Sequence, residues 1–178
     1  MKKYLPVIPL ILLFCLTIAC YDKAAMAELD KARTQTQLEE QNKAVVRQVF
    51  EAIDAKDYAR VKELLAPDFI GHNPQENFNR DAVLQMVSAF YAAFPDGIHK
   101  FEDILADGNK VVARAVWEGT QKAEFQGMPP TGNKVSFWSI SISTVVDGKL
   151  KELWGMDDNL TMMTQLGMEL KPSQEKKK

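Results

Sequence analysis

The apolar residues of this chain change their spacing once, and that change restricts the fold more than any other feature. From Leu38 to Phe94 they recur at helical intervals; from Ile98 onward they alternate or run together as in strands. Leu38, Asn42, Val45, Val46, Val49, Phe50 and Ile53 fall on one helical face, with Gln41, Lys43, Arg47, Gln48 and Glu51 on the other. Asp57 is placed to cap a short second helix through Tyr58, Val61, Leu64 and Leu65, which Ala66-Pro67-Asp68 stops. A third helix is predicted from about Arg80 to Phe94, carrying Val83, Leu84, Val87, Phe90, Tyr91 and Phe94 as its stripe. Pro95-Asp96-Gly97 ends it.

Four strands follow: Ile98–Leu105, Lys110–Thr120, Lys134–Val146 and Lys149 to about Asp158. Asp107-Gly108-Asn109 and Asp147-Gly148 are the tight turns, and Gln126 to Asn133 is a loop rich in Gly and Pro. Leu160 to Leu166 closes the domain with a helical turn or two. Helices first, then strands joined by hairpins, predict an α+β fold. A curved antiparallel sheet wrapped against the N-terminal helices would leave a concave pocket between them. In the long strand, Trp138, Ile140, Ile142 and Thr144 share one face, and Val135, Phe137, Ser139, Ser141 and Ser143 the other. Neither face is charged, so both are expected to be covered, the serine face by a partner subunit. That reading makes the protein a homodimer.

The N-terminus reads as a targeting segment and is set aside before the fold is argued. Met1-Lys2-Lys3 is cationic, and Leu5 to Ala19 is an apolar run broken by Pro6, Pro9 and Thr17. The run is shorter than the ~20 residues of a membrane span. It ends at Ala19-Cys20, which resembles a bacterial lipoprotein processing site; Thr17 departs from the commoner Leu at its position. The resemblance implies cleavage before Cys20, lipidation of Cys20, and an exported chain held to the cell membrane by acyl chains on its periplasmic or surface side. The alternative is an ordinary leader cysteine with cleavage elsewhere. The expected organisation is a leader at 1–19, a polar tether at 20–37 (helical or disordered), a domain at 38–170 and a charged tail at 171–178.

Charge and cysteine content narrow the function. The net charge is −2, and removal of residues 1–19 takes away two lysines and no acid, leaving −4. With no basic stripe, no nucleic-acid partner is expected. Cys15 and Cys20 are the only cysteines, so a domain from Leu38 has none for a disulfide, a nucleophile or a thiolate site. Two histidines far apart give no metal-ligand spacing, and neither a phosphate-cradling loop nor a Ser-His-Asp signature occurs.

Several segments together carry a family resemblance. They include Phe50-Glu51-Ala52-Ile53 with Asp57, and Leu64-Leu65-Ala66-Pro67-Asp68-Phe69 before His72-Asn73-Pro74. Further on stand Trp117-Glu118-Gly119-Thr120, Phe125-Gln126-Gly127-Met128-Pro129-Pro130-Thr131-Gly132, Glu152-Leu153-Trp154 and Gln165-Leu166-Gly167. From about Asn42 to Gly167 the chain resembles SnoaL-like ester or polyketide cyclases, within the nuclear-transport-factor-2-like superfamily. The resemblance implies a small-molecule pocket, dimerisation through the sheet, and an aspartate that performs intramolecular aldol closure without metal or cofactor. It does not fix the reaction, because the superfamily also holds binding modules without chemistry.

On that resemblance Asp158 is the expected acid/base. Parity along the last strand would place Trp154, Met156 and Asp158 on one pocket-facing side, where desolvation would raise the Asp158 carboxyl. The other reading makes Asp158 the cap of the closing helix. His72 is the second catalytic candidate, at the pocket mouth, or else a backbone-bonded loop histidine. His99 has no partner near it in sequence and reads as a surface residue. Many family members carry Thr-His where this chain has Thr120-Gln121, and glutamine carries no proton. Trp154, Trp117, Phe125, Gln121, Met156 and Tyr91 are the expected ligand-lining residues, suited to an apolar or aromatic small molecule. A cofactor-free cyclase, isomerase or hydrolase-type enzyme and a non-catalytic envelope binding lipoprotein both remain open.

Overall fold

The computed structural model describes residues 8–74 and 76–169, and of residues 8–22 only the backbone. The cationic start, the side chain of Cys20 and the tail at 171–178 lie outside the described residues. The chain divides into two units, with the boundary after Leu38. Helix α1 is Ile8–Asp54. In the first unit every described side chain from Lys23 to Leu38 is exposed, as the lack of an apolar stripe there requires. Among the described residues no helix is long and apolar enough to cross a membrane.

In the second unit, the end of α1 is followed by α2 (Tyr58–Leu64), β1 (Leu65–His72), β2 (Phe78–Asn79) and α3 (Arg80–Ala93). Then come β3 (Ile98–Asp107), β4 (Lys110–Thr120), β5 (Lys134–Val146), β6 (Lys149–Asp157) and α4 (Asn159–Gln165). Side-chain caps start the shorter helices: Asp57 accepts from the Arg60 amide at α2, and Asn79 from those of Asp81 and Ala82 at α3.

The strands form one curved, unclosed six-stranded sheet in the order β2-β1-β6-β5-β4-β3. It is mixed where an antiparallel sheet was expected, because β1 runs parallel to β6. Ala66-Pro67-Asp68, expected to stop α2, instead lies within β1, which follows directly on the last helical residue Leu64. Pro67 sits inside a register irregularity between Leu65 and Ile70, where its missing N–H breaks no ladder bond.

The helices cover one face of the sheet. Val46 and Val49 of α1 and Val61 and Leu64 of α2 pack with Val111, Val145 and Leu150 of the sheet. Each such side chain, taken fully out of water, contributes about 1.5–3 kcal/mol. Asn42, buried in this helix, donates to the Gly108 carbonyl at 2.9 Å, tying α1 to the β3–β4 turn. A second cluster joins Phe94, Trp117, Val135, Phe137, Met162 and Leu166. Gly97 and Gly119 flank the Trp117 ring, and a Cβ at either would strike it.

Candidate functional site

Between these clusters a cavity of about 600 Å³ opens against the inner face of the sheet. The ladder orders that face. His99, Trp117 and Phe137 form one cross-strand row; Phe101, Ala115, Ser139 and Asp157 form the next; Ala113, Ser141 and Gly155 the one after. The walls are mostly apolar, from Val49, Phe50, Leu84, Val87 and Phe90 of the helices. Phe90, Phe94 and Phe137 surround Trp117, which stacks on Phe137 with ring centroids 5.1 Å apart, and Phe125 packs on Phe90 and Phe94. Gly155 leaves its place on the inner face open, since a Cβ there would meet nothing within 4 Å.

One polar network enters this apolar wall. Asp54, at the end of α1, takes His99 Nδ1 at 2.7 Å on Oδ1 and the His99 backbone amide at 2.8 Å on Oδ2. The Tyr91 hydroxyl donates to the same Oδ1 at 2.5 Å and accepts from Trp117 Nε1 at 3.2 Å. Burial alone would raise the Asp54 carboxyl. The hydrogen bonds from the His99 ring and backbone amide, together with that from the Tyr91 hydroxyl, outweigh it and hold the carboxyl below its ordinary value. Burial and the neighbouring carboxylate push the Tyr91 phenol far above its ordinary value, so it stays a donor. An ionised Asp54 only accepts, so the shared hydrogen sits on His99 Nδ1. In the neutral ring Nε2 then carries the lone pair, and it has no hydrogen-bond partner among the described residues. His99, read from sequence as a surface residue, is therefore a nearly buried wall residue of the cavity. Its signal was out of reach of local reading, because Asp54 stands forty-five positions earlier.

The sequence-predicted site divides. Tyr91, Trp117 and Phe125 line the cavity as expected. Asp158 does not. It is the N-cap of α4: the Thr161 hydroxyl donates to it at 2.7 Å and the Thr161 amide at 2.9 Å. Those bonds hold its carboxyl below the usual range, against the rise that desolvation was expected to cause. The parity argument chose the wrong face of β6: Leu153, Gly155 and Asp157 point to the cavity, while Trp154 and Met156 point outward, 54% and 78% exposed. His72 shares that outer face, its ring stacked on Trp154 at 3.9 Å. Gln121 is wholly buried but organises the loop that follows it. Its Oε1 accepts from the Thr131 hydroxyl at 2.7 Å and amide at 3.1 Å, and Nε2 donates to the carbonyls of Ala123, Met128 and Pro129. The serine face of β5 is also inward: Ser139 and Ser141 line the cavity, so no partner subunit is needed to cover them. Among the described residues no group of three or more His, Cys, Asp or Glu is placed to hold a metal ion.

The profile of the SnoaL-like polyketide cyclase family matches residues 43–166. Among solved structures, IdmH of Streptomyces antibioticus, described as a candidate polyketide cyclase, is 33% identical. That match covers 72% of this chain and 99% of IdmH with a TM-score of 0.66. A SnoaL-like polyketide cyclase candidate from Jannaschia sp. CCS1 is 24% identical over 75% of this chain and 96% of its own, with a TM-score of 0.68. AclR of Streptomyces galilaeus, described as a candidate hydroxylase, shares the fold at 24% identity, covering 72% and 97% of the two chains with a TM-score of 0.68. No curated protein matches the chain.

Proposed function

This chain belongs to the SnoaL-like polyketide cyclase family, and from that premise we propose that its cavity binds an apolar or aromatic small molecule and moves a proton on it through His99. The observation that carries the reading is the Asp54–His99 pair set in the wall of an otherwise apolar cavity. An imidazole held through Nδ1 by a carboxylate presents Nε2 as a proton acceptor in one fixed orientation. Nε2 would take a proton from a carbon next to a ligand carbonyl, leaving an enolate and an imidazolium that Asp54 stabilises. Returning the proton to another carbon is isomerisation. Attack of the enolate carbon on a second carbonyl of the same molecule is ring closure, with the imidazolium protonating the new alkoxide. Either path balances without a cofactor. Binding is tested by titrating an apolar aromatic ketone such as 2-tetralone and following backbone amide resonances. Shifts at Phe137, Ser141 and Gly155 support the reading; shifts confined to the outer face contradict it.

A specific observation also favours binding without chemistry: neither Asp158 nor His72, the two residues singled out by sequence for catalysis, reaches the cavity. That reading keeps the ligand and removes turnover.

The outer face of the sheet supports a homodimer. Trp138, Ile140, Ile142, Trp154 and Met156 are neighbours across β5 and β6, and all are exposed. A contiguous apolar surface of this kind is the mark of an interaction site. We also propose export and anchoring through Cys20; globomycin, or Cys20→Ala, should block lipidated processing, and an unacylated mature chain starting elsewhere would contradict it.

A further inference from the structure

We propose that the cavity selects a cation: an apolar or aromatic amine whose ammonium is held at the rim by Asp157 and Glu124. This deepens the ligand class of the cavity and rests on the reading that it binds small molecules. The cavity lining includes two carboxylates, Asp157 and Glu124, and no lysine or arginine. Both carboxylates stand on its exposed side. Neither has a hydrogen-bond or ion-pair partner among the described residues, whereas most other acids of the sheet are paired. Glu118, for example, faces Lys100 and Lys134, and Asp103 faces Arg114.

The fold puts these groups there. Asp157 is the last residue of β6, on the inner face, opposite Ser139 in the ladder. Glu124 lies in the loop that the buried Gln121 fixes, next to Phe125 of the aromatic cluster. Ser141 supplies a second, independent polar demand. Its side chain is 4% exposed, lines the cavity, and its Oγ has no hydrogen-bond partner. It stands diagonally from Asp157, two positions along β5 from Ser139, within the reach of cross-strand neighbours. An unpartnered buried hydroxyl is costly unless a ligand satisfies it.

Two acceptor-only carboxylates, with a hydroxyl that can accept as well as donate, suit a ligand rich in donors, and an ammonium offers three N–H. Low-dielectric walls lined by one sign of charge concentrate ligands of the other sign. The same field repels carboxylates and phosphates. The aromatic floor of Phe125, Phe137 and Trp117 receives the apolar body.

The test uses three probes with one body: 2-naphthylmethylammonium, 2-naphthylmethanol and 2-naphthoate, titrated against the full chain by calorimetry at low and high salt. The ammonium is expected to bind on the order of tenfold tighter than the alcohol, and the carboxylate more weakly than either. Added salt should narrow the gap. In Asp157→Asn with Glu124→Gln the ammonium should fall to the affinity of the alcohol, while unchanged alcohol binding shows that the cavity is intact. If the alcohol binds and the ammonium binds no tighter, the cation proposal is overturned and the cavity reading stands. If none of the three binds, the cavity reading fails and takes the proposal with it.

Discussion

Asp54 at the end of the first helix and His99 in the third strand meet twice, once through the imidazole Nδ1 at 2.7 Å and once through the backbone amide at 2.8 Å. The Tyr91 hydroxyl shares the same carboxylate. Asp54 thus fixes the end of the helix to the strand that enters the cavity wall, and fixes the ring that the wall presents.

This pairing sets a pH dependence of stability. The folded Asp54 carboxyl lies below its ordinary value of 3.8, so the unfolded chain binds the proton at the higher pH. The contribution is therefore fully present above about pH 4 to 5 and is lost as pH falls through the folded value. Asp54→Asn should lower stability by about 2 kcal/mol near neutral pH, the typical scale of a hydrogen bond to a charged group. Urea unfolding of both proteins between pH 3 and 7 checks this: the gap should shrink toward the acid end, and a gap that widens there contradicts it.

The fold was legible because the change of apolar period between Phe94 and Ile98 is sharp and the turn signals after it are strong. The site was less so. On β6 the larger apolar side chains, Trp154 and Met156, point outward, and Gly155 and Asp157 point to the cavity, so a rule that sends bulk inward picks the wrong face. The Asp54–His99 pairing depends on tertiary approach that no local pattern encodes. Gln121 was noted as a departure from the family's Thr-His, but its role as the hub of its loop comes from contacts eight and ten residues on.

Gln121→Ala should cost about 3 kcal/mol, because it leaves buried donors and carbonyls of the loop unpaired. Hydrogen exchange should speed up at the Thr131 amide, which now donates to Gln121 Oε1. An unchanged exchange rate there would show that the loop holds its shape without the glutamine.

Asp158→Asn should be close to neutral for stability, since asparagine caps a helix about as well as aspartate. Asp158→Ala should lower the melting temperature by removing both bonds to Thr161. Neither change should alter ligand binding in the cavity. Loss of binding in the asparagine variant would return Asp158 to the site.

The outer sheet face should hold two copies together. Sedimentation of the protein should give a dimer, and Ile140→Glu should give a folded monomer, because Ile140 sits between Arg114 and Met156 in the middle of that face. A monomeric parent protein contradicts the dimer.

The most direct measurement of the central claim is deuterium uptake at the carbon next to the carbonyl of 2-tetralone in D2O, followed by proton NMR with and without the protein. The parent protein should accelerate uptake over buffer. His99→Asn should reduce that acceleration by about 100-fold or more, the scale at which a positioned general base contributes, while keeping the fold and the binding of the ketone. Uptake no faster than buffer, or undiminished in His99→Asn, would contradict proton transfer through His99.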